Sequence, residues 1–199
     1  IENAIAEGHS ETFIQNTLNY ADNLIQKNLP VIFSLQHFSL FVGIDFIKLQ
    51  SIIRNRENHY TYYLIKKKRG GFRRIIAPHS NIKYLQSWIK VNIIDKIEVN
   101  KSATGFVKKK SILDNALIHE NQDVILNIDL SNFFESITER RVYGIFKSIG
   151  YAPNLAVEFA RICTASISEY RFRNLSDEEK PFFEDFYNAI KWQMIHELA

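Results

Sequence analysis

Turn-forming residues are scarce in this chain, and that scarcity limits the folds available to it. The 199 residues include only 7 glycines and 4 prolines. Because glycine and proline supply the backbone geometry of most tight turns, we expect long helices and few strands. Hydrophobic residues make up 46% of the chain, which is enough for one large domain or two small ones. We therefore predict a helix-rich α+β fold.

Four stretches carry apolar residues at helical spacing. Residues 11–28 form the first, and Pro30 ends its pattern. A second helix is predicted at about residues 34–40, and a third follows Gly43 with Asp45 as its N-cap. The fourth covers residues 80–97, where large aliphatic side chains share one side: Ile82, Leu85, Ile89, Ile93 and Ile97. For the first three helices, the spacing predicts core packing without chemistry.

The stretch TYYLIKKKRGGFRRIIAP, residues 61–78, changes to strand character. Aromatic and β-branched residues flank Gly70 and Gly71, which is the pattern of a short-loop hairpin. Six cations surround this turn: Lys66, Lys67, Lys68, Arg69, Arg73 and Arg74. They repel one another unless a multivalent anion draws them together, and a triphosphate or a nucleic-acid backbone is such an anion. The alternative is a charged turn that is simply exposed to water.

Charge is sorted along the chain, although the formal net charge is only +3. Residues 54–110 hold 15 lysines and arginines against 3 acids, and the remaining residues hold 10 basic and 19 acidic ones. A solvated surface usually mixes its signs, whereas a one-signed block inside a folded domain usually faces a polyanion. The block therefore predicts binding to nucleic acid or nucleotide phosphates, with an ordinary charged surface as the alternative.

The stretch VILNIDLSNFFESI, residues 124–137, ends an apolar run on a carboxylate. We expect a buried strand up to Asp129, and an unpaired charge at the end of such a strand is costly. Nucleotide addition uses a pair of metal ions held by at least two carboxylates, and Asp129 is a candidate for one of them. Glu135 follows six residues later, at an undefined position relative to Asp129. Taken alone, such an aspartate is more often an N-cap or an ion-pair partner.

Cysteine usage and hydropathy exclude several classes of protein. Cys163 is the single cysteine, so neither an internal disulfide nor a cysteine-based zinc site can form. The most apolar region, residues 29–46, is interrupted by polar and charged residues, and no basic leader precedes it. We expect a cytoplasmic protein without membrane spans. The chain starts at Ile1 and not at methionine, which favours a piece of a longer protein.

Three stretches resemble motifs of the bacterial reverse transcriptases and occur in the same order. KKKRGGFRRIIAP, residues 66–78, is similar to the first fingers motif, with its lysine, Gly-Gly, arginine and Ala-Pro. ATGFVKKKSILDNALIH, residues 103–119, is similar to the second, and VILNIDLSNFFESI resembles the palm motif that supplies the first catalytic aspartate. Asn-Ala-x-x-His at residues 115–119 resembles an element that distinguishes retron reverse transcriptases. The resemblance covers about residues 29–164.

This resemblance implies the fingers and an incomplete palm of a right-hand polymerase. Asp129 would bind two Mg²⁺ ions in the complete enzyme, and the backbone carbonyl of Leu130 would complete one coordination sphere. Phe134 would be the steric gate, an aromatic ring that clashes with a ribose 2′-hydroxyl. The gate would select deoxynucleotides.

The resemblance also implies roles for basic and polar residues. Lys67 and Arg73 match the fingers pair that binds the incoming triphosphate. Lys66, Lys68 and Arg74 take those positions if the register is shifted by one, and are otherwise implied to contact nucleic acid. The resemblance implies nucleic-acid contacts for Lys108, Lys109 and Lys110 as well. Asn115 and His119 are four apart and would share one helix face, where they either contact structured RNA or hold the helix against the palm.

The chain departs from the family's pattern after the helix that ends at FARIC. A Gln-Gly segment and a Tyr-x-Asp-Asp hairpin should follow, but the sequence contains neither a Gln-Gly nor an Asp-Asp pair, and a thumb is missing. Instead, Ser176 and Glu179 predict a capping box that opens an amphipathic helix, which would be an insertion, a partner surface or the end of a piece. The sequence divides into N-terminal helices (1–53), fingers with the basic hairpin (54–120), a partial palm (121–169) and a last helical segment (170–199).

Two functions of different class remain open. The resemblance implies part of an RNA-directed DNA polymerase that copies a structured RNA in antiphage defence and is inactive without the missing motifs. Its partners would be an RNA template, a structured non-coding RNA, the DNA product, deoxynucleotides and an effector protein. The alternative is a non-catalytic RNA- or protein-binding module, or one half of a split polymerase. Among enzymes, a group II intron maturase or an abortive-infection polymerase is the second choice.

Overall fold

Helices dominate the computed structural model, which describes residues 8–105, 107–130, 133–134, 136–184 and 186–187. The α-helices are α1 (Glu11–Gln26), α2 (Leu35–Val42), α3 (Phe46–Arg54), α4 (Ser80–Asn92), α5 (Ile112–Leu117), α6 (Glu139–Ile149), α7 (Pro153–Cys163) and α8 (Glu169–Arg173). Residues 180–184, 186 and 187 are also helical. Short 3-10 helices cover Arg56–His59 and Ile94–Lys96, and the strands are β1 (Tyr60–Lys66) and β2 (Phe72–Pro78). A helix-rich α+β composition is confirmed.

Polar side chains explain where the helices begin. Ser10, Ser34 and Asp45 accept hydrogen bonds of 3.1–3.2 Å from backbone N–H groups in the first turns of α1, α2 and α3. The predictions of these three helices are confirmed to within two residues at each end. The predicted capping box is also present, because Ser176 donates to the Glu179 carboxylate and the Glu179 N–H donates back to Ser176 Oγ (3.3 Å).

Helix α4 is shorter than the sequence predicts. It ends at Asn92, where the apolar pattern continues to residue 97. Ile93 leaves helical geometry with φ −120° and ψ −66°, and its side chain is nevertheless fully buried. The predicted apolar side is confirmed, since Ile82, Leu85 and Ile89 are at most 1% exposed.

Strands β1 and β2 form an antiparallel hairpin, as the Gly-Gly pattern predicts. The register pairs Lys66 with Phe72. Beyond the strands, the Lys67 N–H donates to the Gly71 carbonyl (2.9 Å) and the Gly70 N–H donates to the Lys67 carbonyl (3.1 Å). Gly70 and Gly71 have φ of 90° and 77°, which residues with a side chain rarely adopt, so the two glycines make the tight turn possible.

The chain divides into two compact units. The first consists of Ile1–Val31 and Ile89–Ser136, and the second consists of Ile32–Trp88 and Ile137–Ala199. The apolar side chains buried in the first unit, among its described residues, are Leu24, Leu29, Ile89 and Ile93. Many more apolar side chains are buried among the described residues of the second unit. The second unit therefore has the stronger core.

Phe159 on α7 is central to the core of the second unit. Its ring centroid lies 5.0 Å from that of Phe38, 5.3 Å from that of Phe146 and 5.2 Å from that of Tyr151. All four residues are at most 2% exposed. Aromatic pairs of this kind contribute about 0.5–1.5 kcal/mol each beyond their buried area. The cluster joins α2, α6 and α7.

The buried strand predicted at residues 124–130 is absent, so that prediction is wrong for this chain. These residues form neither helix nor strand. Their apolar side chains are exposed, at 84% for Val124, 58% for Ile125, 80% for Leu126, 71% for Ile128 and 65% for Leu130. A strand needs a neighbour to pair with, and within the described residues β1 and β2 pair only with each other. The apolar run therefore has a strand-like sequence without a partner strand.

Parts of three predictions lie outside the described ranges. They are Phe106 of the second motif, Glu135 of the palm motif, and residues 188–199 of the last predicted helix. Among the helices that can be described, none is long and apolar enough to span a bilayer.

Candidate functional site

The basic hairpin has two faces with different surroundings. Side chains alternate along a strand, and cross-strand partners lie on the same face. One face carries Tyr62, Leu64, Lys66, Phe72, Arg74 and Ile76, and we call it the inner face. The outer face carries Thr61, Tyr63, Ile65, Arg73, Ile75 and Ala77. Along β1 the inner-face Tyr62 and Leu64 are half-buried, whereas the outer-face Tyr63 and Ile65 are exposed.

The inner face packs against a segment that follows α7. We call this segment the strap and define it as residues 166–184, 186 and 187. Phe183 of the strap is fully buried, and its ring meets Tyr62 edge-on with the centroids 5.9 Å apart. Phe182 meets Phe72 in the same way at 5.7 Å. Aromatic contacts thus join the inner face to the strap.

Arg74 is also held by the strap. Its Nη1 donates a hydrogen bond to the Phe182 carbonyl (2.6 Å). Its guanidinium carbon lies 5.7 Å from the ring centroid of Phe183 and 5.4 Å from that of Phe186, within the range of cation–π attraction. The guanidinium of Arg74 is therefore engaged by the strap.

A second arginine fastens the start of β1 to the strap. Arg171 Nη1 donates to the carbonyls of Glu57 (3.0 Å) and Tyr60 (2.7 Å), and its guanidinium lies 5.0 Å from the Tyr62 ring centroid. The Tyr62 hydroxyl donates to the Ser166 carbonyl. Burial raises the pKa of Tyr60 to about 12 and also raises the pKa of Tyr62, so both hydroxyls are protonated near neutral pH.

The outer face holds the two residues matched to triphosphate binding. Arg73 is exposed and pairs across the hairpin with Ile65. Lys67 stands opposite Gly71, one position beyond the paired strands, so the alternation assigns its exposed side chain to the outer face as well. Lys67 and Arg73 thus share a face. Two other predicted residues, Lys66 and Arg74, lie on the inner face, and Lys68 is an exposed residue of the turn.

The segment with the predicted catalytic aspartate is exposed. Asp129 and Leu130 lie at the end of the unpaired apolar run described above. Phe134 is 71% exposed, and its ring meets that of Phe133 edge-on with the centroids 5.4 Å apart. The side chains of this segment are therefore accessible to a partner or a substrate.

The described residues do not make a complete site for a magnesium pair. None of their His, Cys, Asp and Glu side chains form a group of three or more that could hold a metal ion. Two Mg²⁺ ions require oxygen ligands from at least two carboxylates, and Asp129 supplies one.

The basic run Lys108–Lys110 is exposed, but one member is engaged within the protein. Lys108 Nζ lies 2.9 Å from Asp95 Oδ2 as an ion pair without regular hydrogen-bond geometry, and Lys90 Nζ donates to Asp95 Oδ1 (2.7 Å). The ammonium groups of Lys90 and Lys108 hold the pKa of Asp95 below its usual value. Lys109 and Lys110 do not share this contact and are exposed.

The predicted shared helix face of Asn115 and His119 is wrong. Helix α5 ends at Leu117, and the His119 N–H donates to the Ala116 carbonyl (3.0 Å) in a tighter turn beyond the helix. Asn115 has a structural contact, because its Oδ1 accepts a hydrogen bond from Thr104 Oγ1 (3.0 Å). This bond ties the start of the motif to α5.

Sequence reasoning missed Asp95 and the aromatic residues of the strap. Asp95 is one of only three acids within the basic block, which is a signal that was available. It lies five residues after Lys90, however, and not at the helical spacing of three or four. Phe182 and Phe183 were visible as an apolar pair behind the capping box, but the sequence does not say which surface they cover.

Three curated proteins with sequences similar to this chain are retron reverse transcriptases. The retron Ec86 reverse transcriptase of Escherichia coli is 36% identical over 164 residues, which is 81% of this chain and 49% of that protein. The retron Mx162 and Mx65 reverse transcriptases of Myxococcus xanthus are 37% and 35% identical over 132 and 130 residues, each 64% of this chain. These matches cover 27% and 30% of the two proteins. No family model matches the chain.

The motifs and these identities agree on a class of protein, the reverse transcriptases. Within that class the chain is a relative of the retron reverse transcriptases, which confirms the resemblance found in the sequence. It spans about half the length of the Ec86 protein and less than a third of the two Myxococcus proteins. The similarity therefore covers only part of each of these proteins.

Proposed function

We propose that this chain supplies the fingers and the first palm segment of a polymerase that copies RNA into DNA. The observation that supports the proposal is that Arg73 is exposed on the outer face, and that the exposed Lys67 directly follows β1, where continued alternation assigns it to the same face. A lysine offers a compact charge and an arginine a planar fork, so the two suit different oxygens of one triphosphate. The similarity to retron reverse transcriptases supports the same role.

Asp129 is proposed as a metal ligand of the complete polymerase. Its carboxylate and the Leu130 carbonyl would hold Mg²⁺ together with carboxylates from outside the described residues. When bound, such ions gather the attacking 3′ oxygen and the leaving phosphate. Phe134 is proposed as the steric gate against ribonucleotides, and its exposed ring is available for that contact.

The proposal includes partners that the chain would need. They are an RNA template, a structured non-coding RNA, deoxynucleotides and the DNA product, with Lys109 and Lys110 contacting phosphates. Cytoplasmic antiphage defence with an effector protein rests on the resemblance alone. The chain by itself is expected to be inactive, because the described residues contain one candidate catalytic carboxylate.

A polymerase divided between two polypeptides is a second candidate. The exposed, unpaired run at residues 124–130 favours it, because a strand from another polypeptide would cover these side chains. A later part of the same polypeptide would do so equally well. Sequencing the source DNA past the codon for Ala199 separates the two. Gln-Gly and Tyr-x-Asp-Asp in frame within about 100–150 residues support one polypeptide, and an early stop codon supports two.

Kinetics of the complete polymerase test the triphosphate site. Lys67→Ala and Arg73→Ala should each raise the KM for deoxynucleotides by at least about tenfold, the loss expected for a charge-assisted hydrogen bond. Lys83→Ala, which removes an exposed lysine from α4, is the matched control and should leave the KM unchanged. An unchanged KM in both hairpin variants would remove the proposed role.

Binding to RNA is tested with this chain itself. The affinity for a structured RNA should fall with salt, with a logarithmic slope of about −0.7 to −0.9 per phosphate contact. The double variant K109A/K110A should flatten that slope by about 1 to 2, whereas Lys83→Ala leaves it unchanged. A salt-independent affinity would contradict nucleic-acid binding by the basic block.

A further inference from the structure

The contacts of Arg74 are unlike those of a residue that waits for a phosphate. A carbonyl dipole and two ring faces of the strap already surround its guanidinium. The side chain is half-buried, in contrast to the exposed Arg73 beside it. A phosphate bound through Arg74 would have to approach beside the strap and compete with these contacts, which favours keeping the guanidinium where it is.

The charge of the strap also opposes phosphate binding on the inner face. Between Ser176 and Tyr187 the sequence holds one lysine and five acids: Asp177, Glu178, Glu179, Glu184 and Asp185. A polyanion that approached Arg74 from this side would meet a negative potential. The charged side chains assigned to the outer face, Lys67 and Arg73, are both cationic and both exposed.

The strap holds the hairpin near both of its ends. Arg171 binds carbonyls next to the start of β1, and Arg74, two residues into β2, is held close to the turn. A two-stranded hairpin alone is marginally stable in water, so its orientation depends on what it packs against. Because neighbouring side chains on a strand point to opposite faces, fixing Arg74 inward fixes Arg73 outward.

We infer that Arg74 is a positioning residue for nucleotide binding and not a phosphate ligand. The strap holds Arg74 through Phe182, Phe183 and Phe186, and Arg74 in turn holds the outer face open for the triphosphate. This inference rests on the proposed function of Lys67 and Arg73. It also gives the strap a role, which is to orient the fingers hairpin.

A double-mutant cycle in the complete polymerase tests the inference. Arg74→Gln should raise the KM for deoxynucleotides about threefold to tenfold, and Phe186→Leu, which keeps apolar bulk but removes the ring, about twofold to fivefold. The double variant should be no worse than Arg74→Gln, because both changes break one contact. Arg74→Lys should keep the KM close to that of the unaltered polymerase, since an ammonium group also donates to a carbonyl and lies over a ring face. A bidentate phosphate ligand would not be rescued in this way.

Hydrogen exchange in the 199-residue chain supplies a readout without activity. Arg74→Gln and Phe186→Leu should both speed exchange at the backbone amides of β1 and β2, because the hairpin loosens from the strap. Arg73→Gln, the adjacent cation on the outer face, is the matched control and should leave exchange unchanged. The same Arg73→Gln variant should raise the KM in the complete polymerase.

The two readouts separate the failure of the inference from that of the proposed function. If Arg73→Gln leaves the KM unchanged, the triphosphate role is wrong, whatever exchange shows for Arg74. If Arg73→Gln raises the KM, the triphosphate role stands and the Arg74 variants decide the inference. Should the KM increases of Arg74→Gln and Phe186→Leu multiply in the double variant, or should Arg74→Lys not lower the KM again, Arg74 contacts phosphate directly and the inference is overturned. Unchanged hairpin exchange in Arg74→Gln would overturn it as well.

Discussion

The basic hairpin and the segment at residues 124–130 have similar strand-like sequences and opposite surroundings. In the hairpin, β1 pairs with β2 and the strap covers one face, so Tyr60 and Phe183 are at most 3% exposed. In residues 124–130, every large aliphatic side chain is at least 58% exposed. An apolar pattern therefore predicts burial only where the chain also supplies the surface to be buried against.

The energetic cost of that exposure is considerable. Burying one Val, Leu or Ile side chain is worth roughly 1.5–3 kcal/mol, and five such side chains are exposed in this short run. Contiguous exposed apolar residues of this kind are typical of interaction sites. The hairpin is thus packed against the strap, whereas the apolar side chains of residues 124–130 are exposed.

The largest expected effect is at Asp129 in the complete polymerase. Asp129→Asn should reduce polymerisation at least about a thousandfold, because a metal ligand contributes more than a single oxyanion donor. The melting temperature of this chain should hardly change, since the side chain is exposed. Asp123→Asn alters an exposed carboxylate in the same part of the sequence and serves as the control, with activity retained. A large fall in melting temperature in Asp129→Asn would instead indicate a capping role.

Stability measurements on this chain test the contrast directly. Phe183→Ala removes a fully buried ring that packs on Tyr62, so the free energy of unfolding should fall by about 3–5 kcal/mol. Leu126→Ala removes an exposed side chain and should change it by less than about 0.5 kcal/mol. Denaturant titration of the two variants measures both values. A loss at Leu126 as large as that at Phe183 would show that residues 124–130 are packed in solution.

Local features of the fold could be predicted from the sequence, and features that depend on distant partners could not. Helix starts at Ser34 and Asp45 and the Gly70 turn follow from residue chemistry within a few positions. The strap contacts join Arg74 to Phe182, 108 positions away in the sequence, and no spacing rule connects such residues. The exposed run was mispredicted for the same reason, because pairing is decided by a second strand.

The candidate site was predictable to a similar degree. The cations of the hairpin and Asp129 were visible as residue types in known motifs, and the alternation of β2 then assigns Arg73 and Arg74 to different faces. The sequence could not decide between them, because the register depends on where the turn begins. It also could not show that Lys108 is paired with Asp95.

A smaller effect is expected from the two adjacent phenylalanines of the exposed segment. If Phe134 is the steric gate, Phe134→Ala in the complete polymerase should increase ribonucleotide incorporation by about 10- to 100-fold, the range for one apolar contact in a specificity pocket. Phe133→Ala removes the neighbouring ring, which is 48% exposed, and should leave the discrimination intact. Competition between ribo- and deoxynucleotides measures the ratio. Equal effects of the two substitutions would contradict the assignment of Phe134.

The smallest effect concerns pH and the buried end of the hairpin. Burial raises the pKa of Tyr60 to about 12, so the folded chain keeps a proton that the unfolded chain releases near pH 10. The protonated Tyr60 hydroxyl contributes fully to stability below about pH 10. As the pH rises towards about 12 this contribution is lost, and the free energy of unfolding falls by up to about 1.4 kcal/mol per pH unit. Tyr60→Phe should make this fall less steep by about 1 kcal/mol per pH unit.

The matched control for Tyr60 is Tyr170→Phe, because the Tyr170 side chain is 81% exposed and meets water in the folded and unfolded chains alike. Denaturant titrations between pH 9 and 12 should give the same slope for this variant as for the unaltered chain. Burial also raises the pKa of Tyr62, so part of the fall in the free energy of unfolding with pH remains in Tyr60→Phe. If Tyr60→Phe left the slope unchanged, as is expected for Tyr170→Phe, β1 would be as open to water as residues 124–130, and the contrast between the two regions would no longer hold.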